Sequence, residues 1–171
     1  MSGSRLVRFL SFALVGSALG CAGPAKTPIH ECAAKQALEH YRGADAVTLP
    51  VRFENNMGPL FHLADVRITV DRQCVPLQSP AELIAGFAAH RPLMLNLSLQ
   101  PGVPHKIAIV AEFKGGNEYS GYRFAVSSMH RIAADELKSE LVVGRFHEEG
   151  DRPIVERPTF TWTGPGSSSS D

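Results

Sequence analysis

Seven histidines, three cysteines and seventeen aspartates and glutamates are the residues of this 171-residue chain best able to do acid–base or metal chemistry. A metal site needs three or four such ligands converging, and the usual signatures are closely spaced His or Cys pairs. No two of the histidines stand as HxH or HxxxH, and no CxxC is present. His30 and His40 fall on the polar side of an expected helix, and His62 falls on the inward phase of a strand, as a hydrogen-bonded core residue. His105 is placed in a turn, while His90, His130 and His147 flank strand ends. Nucleophilic chemistry has no GxSxG elbow to carry it, and Gly115-Gly116 lacks the following GK of a phosphate loop, so it reads as a hairpin turn. The expectation is a noncatalytic chain without metal or cofactor. Two alternatives stay open: a metal-dependent enzyme whose site assembles from scattered His, Asp and Glu, and a small-ligand carrier with an apolar cavity.

Cys21 has a different setting. Arg5 and Arg8 precede an apolar run from Phe9 to Leu19. A transmembrane helix needs about 20 apolar residues, whereas a signal-peptide core needs roughly 7 to 15. The run ends in Ala18-Leu19-Gly20-Cys21, which resembles the lipobox of bacterial lipoproteins, although Ala18 and Leu19 depart from its commonest pattern. The resemblance implies that residues 1–20 are removed and that Cys21 becomes an acylated N-terminus, the competing reading being an ordinary cleaved signal. Each buried methylene contributes about 0.8 kcal/mol, so two or three chains anchor a protein with no charged surface required. Ala22, where lipoprotein sorting would read an Asp as a retention signal, points to the outer membrane with the domain facing the periplasm. Residues 21–26 form a short tether.

Export places Cys32 and Cys74 where disulfides persist, and a bridge between them would stabilise by about 4 kcal/mol in the chain-entropy model. Two free thiols remain the alternative.

Thr27-Pro28 reads as a helix start and Gly43 as its stop, so a helix is expected over 27–43 with Cys32 on its apolar stripe. Alternation then takes over. Val47, Leu49, Val51 and Phe53 share one face, with Pro50 marking an edge or a position paired on one side only. Leu60, Ala64, Val66, Ile68 and Val70 mark a second strand, leaving Phe61 and Leu63 as an outer apolar pair for the opening helix to cover. Asp71-Arg72-Gln73 is a tight hairpin into a short strand, and Ser79-Pro80 with Glu82 resembles a capped helical turn running to about Ala89. Leu93 to Leu99, Lys106 to Lys114 and Tyr122 to Val126 are further strands, with weaker ones near 141–146 and 159–162. Trp162 is expected to plug the core, and residues 164–171 to be a disordered tail.

Seven or eight short strands between Pro, Gly and Asn turns argue for a single mainly β domain over 27–163, an antiparallel sandwich of seven to eight strands with one N-terminal helix; an open barrel is the alternative. Seventeen basic residues balance seventeen acidic ones, and loss of Arg5 and Arg8 leaves the mature form slightly acidic. With no basic run, nucleic acid is excluded as a partner, and the charges read as a solvated surface. The segments Val51 to Asn56, Ala64 to Asp71 and Leu99 to Gly102 are similar to uncharacterised bacterial β-sandwich lipoproteins and to immunoglobulin-like or PEGA-like surface domains. The expected role is that of a membrane-tethered, noncatalytic domain that binds an envelope protein partner or is structural. The resemblance carries over no functional residue.

Overall fold

The computed structural model describes residues 32, 37–39 and 41–166. Eight strands and one helix follow in the order β1 (Val47–Asn55), β2 (Phe61–Val70), β3 (Gln73–Cys74), α1 (Pro80–Ala88), β4 (Leu93–Leu99), β5 (His105–Gly115), β6 (Arg123–Ile132), β7 (Val142–Glu148) and β8 (Pro158–Thr163). They form two four-stranded sheets, ordered β4-β1-β7-β8 and β3-β2-β5-β6. The chain is thus a mainly β sandwich, and two separate sheets set aside the open barrel. All strand pairs are antiparallel except β1 with β7, which is parallel. A strand at the front of the chain and one near its end lie side by side there, which alternation alone does not reveal.

The core sits between the sheets. Leu49, Val51 and Phe53 of β1, Ile107, Ile109, Ala111 and Phe113 of β5, and Val142 and Phe146 of β7 are all fully buried. Phe146 packs edge-on against Phe87 of α1, Phe113 of β5 and Phe160 of β8, with ring centroids 6.0, 5.4 and 4.5 Å away. One ring thereby ties the helix to both sheets. Pro50 opposes Asn96 on β4, while pairing with β7 begins only at Val51, so the missing N–H falls where β1 is paired on one side.

The β2–β3 hairpin turns on Asp71 and Arg72, both with positive φ (49° and 71°), the signature of a two-residue type I′ turn. At the end of α1, the Arg91 N–H donates to Gly86 O and the His90 N–H to Phe87 O, with His90 at φ 60°. This is a Schellman closure with histidine in the usual glycine place, and Pro92 follows it.

Several expectations are corrected. Among the described residues of the expected 27–43 helix, none is helical: Ala37 forms a parallel bridge with Cys74, the Leu38 N–H donates to Cys74 O at 2.6 Å, and the Tyr41 N–H donates to Ser98 O. Backbone pairing with the sheet edges, anchored by the bridge at Cys74, replaces helical hydrogen bonds there; the remainder of that segment lies outside the described residues. On β2 the register shifts between Leu63 and Asp65, a bulge at Ala64. The extra residue inverts the phase. Phe61 and Leu63 therefore point into the core and His62 is exposed, the opposite of the sequence reading. Ser79 precedes α1 in a left-handed conformation and makes no side-chain cap, its carbonyl instead accepting from Glu82 and Leu83 N–H. In the expected tail, Pro165 O accepts a hydrogen bond from His130, so 164–166 lie against β6; 167–171 are outside the described residues.

Candidate functional site

Cys32 and Cys74 are joined in a disulfide. It fastens the segment preceding β1 to β3, the edge strand of the second sheet. Cys21, His30 and His40 lie outside the described residues. The other five histidines are dispersed: His62 is exposed, His90 Nδ1 meets Asn55 O, and His147 sits half-buried on β7. Among the described residues, no three His, Cys, Asp or Glu side chains are placed to hold a metal ion.

His105 and His130 are the two buried ones. His105 Nδ1 lies 2.7 Å from Asp71 Oδ2 and its Nε2 lies 2.8 Å from Gln100 O. An Asp–His pair suggests a general base, but the nitrogen that would face a substrate is spent on a backbone carbonyl. Asp71 also accepts from the Lys106 N–H at 2.8 Å. The pair clamps the β2–β3 turn onto the start of β5.

His130 Nε2–H donates to Pro165 O at 2.6 Å, and its ring stacks on Trp162 with centroids 5.0 Å apart. Trp162 is half-buried, not a sealed plug, and its Nε1–H donates to Ser128 Oγ at 2.9 Å, so β8 is tied to β6 across the sandwich. Burial pushes the His130 pKa below its ordinary 6.5, partly offset by the Pro165 carbonyl and by Glu136. The unfolded chain therefore binds this proton more readily than the folded one. Its contribution is complete above the unfolded value of 6.5 and is lost as the pH falls below it toward the lowered folded value. Urea midpoints recorded from pH 7.5 to 5 should fall for the parent chain, and the fall should be shallower for His130→Phe. Parallel curves for the two would remove His130 from the acid sensitivity.

Three open grooves border these elements. One of about 650 Å³ runs between α1 and β4, lined by Leu77, Leu83, Phe87 and Leu95 together with Glu82 and Arg91. A second, of about 730 Å³, lies beside Tyr41, Asp71 and His105; the Tyr41 O–H donates to Asp45, which raises its pKa. The largest, about 1160 Å³, is bordered by Arg72, Lys106, Arg131, Met129 and Glu136.

That largest groove opens onto the outer face of the second sheet, where the register sets Lys106 opposite Arg131 and Lys114 opposite Arg123. Like charges directly opposite on adjacent strands are unfavourable. None of these four makes an ion pair among the described residues. All four are exposed, in keeping with a solvated charged surface, and antiparallel pairing sets side by side cations that lie 25 and 9 residues apart along the chain.

No family model, curated protein or solved structure matches this chain. Its functional reading rests on its own residues.

Proposed function

We propose that this chain is an envelope lipoprotein, held by acyl chains on Cys21 at the outer membrane and facing the periplasm, whose β-sandwich has a noncatalytic binding or structural role. The observation that carries the reading is the Ala18-Leu19-Gly20-Cys21 sequence at the end of a charged-then-apolar leader of signal length. The Cys32–Cys74 disulfide supports it, since such bridges persist in oxidising compartments. A packed core and an Asp–His pair with no free ring nitrogen favour binding over chemistry. No helix among the described residues is long and apolar enough to cross a membrane.

Cell fractionation tests it. The parent chain should sediment with membranes and enter the detergent phase, whereas Cys21→Ser should shift to the soluble fraction or stay unprocessed. Identical partition of a processed Cys21→Ser chain would contradict the anchor.

A second reading, a small-ligand carrier, is favoured by one observation: the 650 Å³ groove beside α1 has an apolar floor and lies within the size range of ligand sites. Mass spectrometry of organic extracts from the purified chain should find no stoichiometric small molecule if binding is macromolecular.

A further inference from the structure

We infer that the outer face of sheet β3-β2-β5-β6 docks flat on an anionic lipid leaflet, the one to which Cys21 is anchored in the function proposed above. The inference rests on that reading for its orientation but on separate residues for its chemistry.

Outward positions of β5 and β6 carry Lys106, Lys114, Arg123 and Arg131, with Arg67 beside them on β2. The carboxylates on the strands of this face are Asp65 and Glu112, and Asp71 and Glu136 border the groove beside Lys106 and Arg131. Asp65, Arg67 and Glu112 each have interactions of their own, and the four cations, which form no ion pair among the described residues, set the field. They stand in two opposed pairs separated by eight residues, roughly 27 Å of strand. One phosphate could not reach both pairs. An extended anionic surface meets both at once and relieves the repulsion that each pair suffers alone.

Between the rows the face is low and mixed: Ala108, Ala125 and Ser127, with Val110 and Met129 at 37% and 52% exposure. Small residues permit close approach, and the two apolar side chains suit the headgroup boundary. Across the whole chain acidic and basic residues are equal in number, so cations collected on one face imply a deficit elsewhere. Around the β7–β8 connection of the other sheet Glu148, Glu149, Asp151 and Glu156 outnumber Arg152 and Arg157, and Glu149 pairs with Arg152. Such a charge-segregated body is oriented by an anionic surface before contact.

The point where the chain enters the described fold favours the same face. Cys32 is fixed to Cys74 on β3, the edge strand of this sheet. Cys21 and Cys32 are eleven residue steps apart, a length that spans at most about 35–40 Å when fully extended. Four strands are only about 15 Å across, so an anchor beside β3 lets the whole face reach the leaflet.

The test uses the chain from residue 21 onward with Cys21→Ser, which contains the entire described fold and carries no lipid. It is sedimented with vesicles of phosphatidylglycerol and phosphatidylethanolamine, and separately with phosphatidylcholine alone. Binding should occur to the anionic vesicles only and should weaken steeply with salt. Each cation near an anionic leaflet strengthens partition about fivefold, so Arg123→Glu/Arg131→Glu should lose about twenty-fivefold or more. Both new carboxylates face a lysine across the ladder, Lys114 and Lys106, so Tm should hold or rise. Loss of binding therefore cannot be attributed to unfolding.

Equal binding to both vesicle types, or unchanged partition of the double variant, overturns the inference. So does a chain that ignores vesicles but self-associates until these substitutions are made, since a second copy then occupies the face. None of these outcomes depends on whether Cys21 is acylated in the parent chain.

Discussion

Phe146→Ala is expected to lower the unfolding free energy by about 3–5 kcal/mol, the range for deleting a buried aromatic ring. Phe146 is fully buried on β7 and touches rings from α1, β5 and β8, so its removal opens a cavity that none of those elements can fill alone. Urea denaturation measures the effect as a lowered midpoint at unchanged slope. Phe160, on the edge strand β8 and only partly buried, should cost clearly less when truncated. Equal costs at the two positions would mean that the ring cluster is not the centre of the fold.

Removing the disulfide should have a comparable effect. Cys32 and Cys74 are 42 residues apart, and closing such a loop restricts the unfolded chain by about 4 kcal/mol in the entropy model. Cys32→Ala/Cys74→Ala should lose about that much. The folded state is affected locally, because Ala37 and Leu38 pair with Cys74 and Leu38 packs on the core. Reductant should bring the parent chain to the stability of the double variant and leave the variant unchanged. A reductant-insensitive parent would show that the bridge does not contribute.

Strict alternation made most strands legible. Ile107, Ile109, Ala111 and Phe113 point inward as the period of two requires, as do Leu49, Val51 and Phe53. The same rule failed on β2, where the phase was set by Val66, Ile68 and Val70 and carried back through Ala64. The bulge there shifts the chain by one residue, and one residue flips every side chain before it. No local signal marks Ala64 as the extra residue, since the partner Glu112 that fixes the register is distant in sequence. The described residues of the expected 27–43 helix were misread for a related reason. The Thr27-Pro28 start and Gly43 stop are compatible with a helix, but the edges of β3 and β4 offer backbone groups to pair with, and long-range pairing wins.

The cationic face was partly legible. Lys106 and Lys114 share one phase, Arg123 and Arg131 another, and folding the two strands about the turn at Asn117 and Glu118 brings each pair into opposition. Searching for basic runs missed them, because strands disperse in sequence what they assemble in space. The parallel contact of β1 with β7 had no such signal.

The account depends most on the front end of the mature chain, and mass analysis of its N-terminal peptide tests that most directly. The predicted result is a peptide beginning at Cys21, heavier than its sequence by two or three acyl chains and a glyceryl group. A peptide that begins at Met1 or Ser2, or at Cys21 with a free thiol, would contradict it.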